Sequence, residues 1–441
     1  MTIYALSSGP GISGVAVIRI SGKETSAILK LITKKNLPKP RVASINKIIN
    51  VKSSELIDEA IVLWFPGPNS YTGEDMAEFH VHGSMAVIKA MHQALEDTKK
   101  CRLAEPGEFT RRAFQNGKIN LLKAESIADL ISSETEIQRK QAISVMSGKT
   151  SVIFNEMRDL LLNSLSNLEA KIDFPDEDIP EEVLEKTKKN VDYVIAKIKK
   201  ILNDQKVGER IREGFKIAIV GPTNAGKSSL LNHLSNRDVA IVSEIAGTTR
   251  DVLETHLNID GYPVIISDTA GIREAKNEIE KKGIKLALKK ADEADLNLIV
   301  IEPKNLNFTG FLKDLIKPNS ILVINKCDID RITLTEQMKK LDHVIISVKN
   351  NTNIENLIFK IKSKLKGKFI HGEEILITRE RHRANLEQCL KNLLNFKNQK
   401  DDFDKAAEDL RLATRHLGMI VGKVDVEQIL SSIFNDFCIG K

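Results

Sequence analysis

The chain has 441 residues, 41% hydrophobic and 29% charged, with 66 Lys and Arg against 60 Asp and Glu for a formal net charge of +6. That length exceeds one hydrophobic core and predicts two or three domains, while the mild positive balance is compatible with an anionic partner such as RNA and does not by itself point to one. No apolar run reaches the about 18 residues of a membrane helix, and MTIYALSSGPGISG has no basic stretch followed by an apolar core, so a cytoplasmic protein without a membrane segment is expected.

Residues 1–118 read as an α+β domain. AVIRIS (16–21), EAIVLWF (59–65) and EFHVH (78–82) are strand-like, and helices are expected near Lys23 to Thr33 and Met85 to Thr98. Between the second and third strands PGPNSYTGED (66–75) is rich in turn residues, which predicts a fixed surface loop of the kind that binds ligands. His80 and His82 share a strand face, yet no third His or Cys stands near them, so no metal is expected there. Cys101, Cys327, Cys389 and Cys438 form no C-x-x-C pair and imply neither a zinc site nor a disulfide framework.

PGEFTRRAFQNGK (106–118) predicts a helix stopped at Asn116-Gly117, followed by a helix capped near Asn120 and a helical pattern to about Ala170. IDFPDEDIP (172–180) breaks that pattern with two prolines, and helix is expected again from Glu181 to Val207. After residue 368 the segments ILITRERHRANLEQCLKNLLNF and DDFDKAAEDLRLATRHLGMIVG are again amphipathic and helical. The domains expected are 1–118, a first helical part 119–214, an α/β domain 215–368 inserted into the helical one, and a second helical part 369–441.

The inserted domain opens with the apolar run FKIAIV, then Gly221-x4-Gly226-Lys227-Ser228, then LLNHL. Strand, phosphate-cradling glycine loop and helix in this order make a P-loop, with Lys227 for the β and γ phosphates and the Ser228 hydroxyl for Mg2+. Asp268-Thr269-Ala270-Gly271 follows the strand-like PVIISD; a carboxylate there can hold Mg2+ through water, and a glycine N–H can meet the γ phosphate. Asn325-Lys326-Cys327-Asp328 then selects the base, since a carboxylate accepts from guanine N1–H and its exocyclic amine whereas adenine offers no such donor pair. Ser347-Val348-Lys349, one residue away from the usual Ser-Ala-Lys, is expected to close the base pocket. Where many GTPases carry a water-orienting glutamine after the DxxG glycine, this chain has Ile272, so Asn224 and Glu280 become candidates for the missing chemistry.

Several stretches outside the nucleotide motifs resemble the tRNA-modification GTPase family MnmE, also called TrmE: VIRISG (17–22), LWFPGPNSYTGED (63–75), PGEFTRRAF (106–114), NLLKAESIADLI (120–131), IDFPDED (172–178) and the terminal FCIGK. The resemblance covers essentially the whole chain. It implies an N-terminal folate-binding domain, a discontinuous helical domain and an inserted Ras-like G domain, assembled as a homodimer. It further implies a flavoprotein partner of the MnmG (GidA) type carrying FAD, joined in a heterotetramer. Together they would build an aminomethyl or carboxymethylaminomethyl group on C5 of the wobble uridine of certain tRNAs, from a 5-formyltetrahydrofolate-type one-carbon donor.

Carried onto matching positions, the resemblance assigns GTP contacts to Asn224, Ala225, Gly226, Lys227, Ser228 and Ser229, and to Ser243, Glu244, Ile245, Ala246, Gly247, Thr248 and Thr249. It assigns Mg2+ to Ser228 and Thr249, K+ to Asn224, Ser243, Ile245 and Thr248, and water orientation to Glu280. A bound K+ would replace an arginine finger and so allow Ile272. Folate contacts fall on Arg19, Glu78, Lys118 and Lys441. Cys438 reads either as a nucleophile toward a uracil ring or as a small buried residue beside Phe437, and it is carried as a catalytic candidate near the folate site. The nucleotide motifs taken by themselves equally fit a regulatory ribosome-assembly GTPase without one-carbon chemistry.

Overall fold

The computed structural model describes residues 1–9, 11–174, 181–222, 224–236, 254–268, 288–305, 315–329, 332, 334–366, 375–399, 402–424, 430, 433, 434, 437 and 440. They fall into two compact units, Met1–Ala128 with Val145–Leu162 and Arg411–Lys441, and Asp129–Ser144 with Asn163–Leu410. Among the described residues no helix is long and apolar enough to cross a membrane.

In the first unit β1 (Thr2–Leu6), β2 (Ser13–Ser21), β3 (Ser44–Ile49), β4 (Leu56–Phe65), β5 (Met76–Gly83) and β6 (Cys101–Leu103) form a sheet in the order β3-β4-β5-β2-β1-β6. Its pairs are antiparallel apart from β1 with β6. Strand alternation separates two faces. Ile18, Ile20, Val62, Trp64, Phe79 and Val81 pack with Ile28, Leu29 and Ile32 of α1 (Thr25–Thr33) and Ile88, Met91 and Leu95 of α2 (Met85–Asp97). On the opposite face Phe109 of α3 (Glu108–Gln115) covers Ile3, Ala5 and Met76. The same face carries Arg19, whose Cα partners are Ala5 and Glu78.

The helical stretch expected from Asn120 to about Ala170 is instead three helices, α4 (Leu121–Ile131), α5 (Glu136–Met146) and α6 (Lys149–Asp173). Thr135 and Gln138 explain the first break: Gln138 N donates to Thr135 Oγ1 at 3.3 Å while Thr135 N donates to Gln138 Oε1 at 3.0 Å, a reciprocal cap that starts a new helix. Likewise the helix expected from Glu181 to Val207 ends at Leu202 as α7 (Glu181–Leu202). Gln205 and Lys206 then turn through positive φ into α8 (Val207–Glu213).

The second unit holds β7 (Phe215–Val220), β8 (Glu254–Ile259), β9 (Tyr262–Asp268), β10 (Leu296–Ile301), β11 (Ser320–Ile324) and β12 (His343–Ile345), in the order β12-β11-β10-β7-β9-β8. All neighbours are parallel except the β8–β9 hairpin. Parallel strands covered on both faces read as continuous apolar runs, and Leu296 to Ile301 are all buried. One face packs Ile217, Leu298 and Val323 against Leu230 of α9 (Lys227–Asn236) and Leu357 and Ile361 of α10 (Ile354–Lys366). Helices from before and after this sheet in the chain pair with each other: Lys397 of α11 (Glu380–Asn398) donates to Asp192 of α7 at 2.7 Å.

Helix α8 leads through Gly214 into β7 and is held from several sides. Gln138 and Gln141 of α5 donate to the carbonyls of Arg212 and Gly208. Arg383 of α11 grips both oxygens of Glu209 and one of Asp204, the latter at 2.7 Å. Its side chain is 6% exposed and that of Glu209 is 7% exposed. Removing one partner from so buried a cluster leaves uncompensated charge. Arg383→Leu is therefore expected to cost about 3–5 kcal/mol, read as a lowered denaturation midpoint of the intact protein, and a loss under about 1 kcal/mol would contradict the burial argument.

Candidate functional site

The loops following β7, β11 and β12 lie at the carboxyl ends of parallel strands, where open α/β sheets bind ligands. Gly221 follows β7 at φ 146°, and a Cβ there would lie 2.0 Å from the carbonyl oxygen of Val300, so a side chain is excluded. Asn224 adopts φ 63°, the left-handed conformation that asparagine tolerates, and turns the loop into α9. Lys227 opens that helix and donates from Nζ to the Pro222 carbonyl at 2.7 Å, arching over the loop. Ser228 and Ser229 are exposed in the first helical turn, where backbone N–H groups have no helical partner.

Asn325 joins this loop to the base side. Its Nδ2 donates to the Ala225 carbonyl at 3.0 Å, and its Oδ1 accepts from Val348 N at 3.1 Å. Gly226, at φ 91°, has no room for a side chain because a Cβ would stand 2.2 Å from Asn325 Nδ2. Ser347 donates from Oγ to Asp328 Oδ1 at 2.6 Å and accepts from Asn350 N at 3.1 Å. The hydrogen bond from Ser347 holds the Asp328 carboxyl below the usual carboxylate range, so this group stays an acceptor on mild acidification. Lys326, at φ 64°, pairs through Nζ with Glu302 at 2.8 Å. Lys349 follows Val348 and contributes to the same lowering of the Asp328 pKa by its charge.

Structure thus brings together Asn224, Ala225, Gly226, Lys227, Ser228, Ser229, Asn325, Lys326, Asp328, Ser347, Val348 and Lys349. Sequence reading did not find Glu302 or the twofold link through Asn325; the acid directly after the apolar run LNLIVI was the available signal for the first. Ser243, Glu244, Ile245, Ala246, Gly247, Thr248, Thr249, Thr269, Ala270, Gly271, Glu280, Cys438 and Lys441 lie outside the described residues, and Asp268 is described only as the last residue of β9. The exposed Ser228 hydroxyl is a hard oxygen of the kind Mg2+ takes. The exposed Asn224 side chain carries one amide oxygen of the kind K+ takes.

In the first unit the folate candidates Arg19 and Glu78 are cross-strand partners. Arg19 donates from Nε and Nη2 to Glu78 Oε1 at 3.0 and 2.8 Å, leaving Oε2 toward His80 Nε2 at 3.2 Å. Arg19 also lies 5.9 Å above the Phe109 ring and, with Ser7, donates to the Gly440 carbonyl, which brings Gly440 to this cluster. Lys118 is exposed, and its Cε stands 2.9 Å from where a Cβ on Gly73 would be, beside the turn-rich loop. That loop is pinned by Tyr71 to Thr110 at 2.9 Å and by Thr72 to Ser21 at 2.8 Å. Burial pushes the Tyr71 pKa up, so the hydroxyl stays protonated. His82 pairs with Asp58, so each histidine of the H-x-H pair has its own carboxylate.

Residues 121–438 match the family described as MnmE helical domain, and residues 2–118 that described as GTP-binding protein TrmE N-terminus. A tRNA modification GTPase MnmE of Pelagibacter ubique (strain HTCC1062) is 71% identical over 443 residues, covering 100% of both chains. One of Rickettsia bellii (strain RML369-C) is 46% identical over 446 residues, again covering 100% of both. Among solved structures, Aquifex aeolicus Era bound to GDP.AlF4- is 29% identical, covering 42% of this chain and 68% of its own, with a TM-score of 0.27.

Asn325→Ala removes a buried donor and a buried acceptor at once and strands the Ala225 carbonyl and Val348 N–H. A destabilisation of about 1–3 kcal/mol is expected in thermal or denaturant unfolding, together with weakened nucleotide binding.

Proposed function

The chain belongs to the MnmE family of tRNA modification GTPases, and from that premise we propose how its two units divide the work. It hydrolyses GTP, and it acts in the cytoplasm on the wobble uridine of tRNA. With an FAD-bearing flavoprotein of the MnmG type, in a heterotetramer built on a homodimer, it installs an aminomethyl or carboxymethylaminomethyl group at C5. The carbon comes from a tetrahydrofolate derivative bound at Arg19, Glu78, Lys118 and Lys441. The observation that carries this reading is the likeness over 100% of the chain, which includes the first unit that a plain regulatory GTPase has no need of.

In the second unit Asp328 accepts from guanine N1–H and the exocyclic amine, with Ser347 holding the carboxylate ionised and turned toward the base pocket. Lys227 and the amino end of α9 meet the β and γ phosphates. Mg2+ at Ser228 and Thr249 neutralises phosphate charge. Asn224, Ser243, Ile245 and Thr248 hold K+, and Glu280 orients water where Ile272 cannot. In the first unit Glu78 accepts from the amide and amine edge of a pterin, and Arg19 fixes its orientation through two hydrogen bonds to one carboxylate oxygen. Cys438 serves the same pocket.

Mass spectrometry of wobble uridine from a strain lacking this chain tests the reading. Loss of the C5 group, restored by the wild-type gene, is expected, and an unchanged nucleoside profile overturns it. Asp328→Asn exchanges an acceptor oxygen for a donor amide, which suits the second carbonyl of xanthine. Preference is expected to move from GTP to XTP by at least about tenfold in competition binding, and retained guanine preference would refute the role given to Asp328.

A further inference from the structure

Helix α7 carries a basic stripe that the division of labour above leaves unused. Lys186, Lys189, Tyr193, Lys197 and Lys200 recur at i, i+3, i+7, i+11 and i+14, and at about 100° per residue they fall within one quarter of the helix circumference. The buried side is formed by Thr187, Val191, Val194 and Ile198, so the stripe faces away from the packed interior. Between Lys186 and Lys200 the sequence holds six lysines and one acid, Asp192, and that acid is engaged by Lys397.

Two features separate this stripe from an ordinary solvated face. Among the described residues Lys186 and Lys189 enter no ion pair, whereas Lys326, Lys360 and Lys397 of the same unit each meet a carboxylate. Like charges one turn apart destabilise a helix, and a bound polyanion relieves that repulsion. The second feature is Tyr193, 50% exposed in the middle of the stripe, with the Lys197 ammonium 5.8 Å from its ring centroid. An aromatic face beside a cation is the combination on which nucleotides stack. At the helical rise, each lysine pair spans about 4.5 Å and the two pairs stand about 12 Å apart with the ring between them. A pair of cations on either side of an aromatic suits two stretches of RNA phosphate flanking an unpaired nucleotide whose base stacks on the ring.

We propose that this stripe of α7 docks the phosphate backbone of tRNA. The proposal rests on the tRNA reading above and deepens it by naming a surface. None of its residues belongs to the nucleotide site, so GTP turnover in the absence of tRNA is expected to be unchanged when they are altered.

The test uses the full-length protein and unmodified tRNA bearing a wobble uridine, in filter binding across a series of KCl concentrations. For Lys186→Gln/Lys189→Gln/Lys200→Gln the affinity is expected to fall about tenfold or more, with the log–log salt slope reduced by about 2–3. Tyr193→Ala is expected to weaken binding with the slope unchanged. The triple Lys→Arg variant at the same positions keeps charge and is expected to keep binding, which separates lost contacts from a misfolded helix. Wild-type affinity and slope in the Gln variant overturn the proposal, as does absence of tRNA binding by the wild-type protein. If the wild type restores wobble modification in cells while the Gln variant binds tRNA equally well, the stripe fails and the functional reading stands. If deleting the gene leaves wobble uridine unchanged, the functional reading itself fails.

Discussion

The nucleotide site depends on one amide. Asn325 is 3% exposed and uses both ends of its side chain, donating to Ala225 and accepting from Val348. Aspartate lacks the donor, and leucine lacks both groups, so either would leave a buried backbone group unpaired. The bond also explains a neighbour far away in sequence, because Gly226 must lack a side chain to let the amide approach. Gly226, Asn325 and Val348 are therefore one constraint expressed at three positions. Lys227 follows Gly226 and Asp328 stands three residues after Asn325, so the candidate phosphate and base groups are set relative to each other through this link.

A second constraint reaches the same loop from behind. The strand β7 that ends in Gly221 begins just after α8, whose carbonyls are held by Gln138 and Gln141 and whose Glu209 is held by Arg383. Arg210 of α8 also pairs with Asp295 at 2.6 Å, and Asp295 accepts from Lys216 N in β7. Buried ion pairs give little net stability, because desolvation offsets attraction, but they are strongly directional. Their contribution here is to geometry: they orient the helix from which the P-loop strand departs.

Much of this architecture was legible in the sequence where the signal is local. FKIAIV, PVIISD and ILVI read as buried strands because both faces are covered and no polar alternation interrupts them, and they are β7, β9 and β11. The N-terminal strands around Ile18, Val62 and Phe79 were equally readable from their alternation. TIYAL, SINKII and CRL were not; β6 has three residues and gains its partner only through parallel pairing with β1, about a hundred residues earlier. The helix breaks were missed for a related reason. Apolar periodicity continues across Thr135 and Gly148, and it is capping chemistry at Thr135-x-x-Gln138 that ends one helix and starts the next. In the candidate sites, motif residues could be named from spacing, whereas the Arg19 to Glu78 pairing and the Lys326 to Glu302 pairing needed strand register and strand order.

Apart from Asn224, the described candidate residues of the nucleotide site are suited to recognition rather than chemistry. In the proposed reading Asn325, Asp328 and Ser347 would meet the base and Lys227 with the start of α9 the phosphates, and each of these four side chains is already engaged in a protein hydrogen bond. Interactions made equally with substrate and transition state lower the concentration of GTP required without speeding hydrolysis. Rate must come from groups that meet charge only as it develops at the γ phosphate, and with Ile272 in place of a glutamine those groups are not in the DxxG segment's usual position. Changes in the base loop should therefore appear in KM, and changes at Asn224 or Glu280 in kcat. In the proposed scheme recognition is built into the base loop and the P-loop while rate waits on groups that meet the developing charge, so nucleotide binding and hydrolysis are separable.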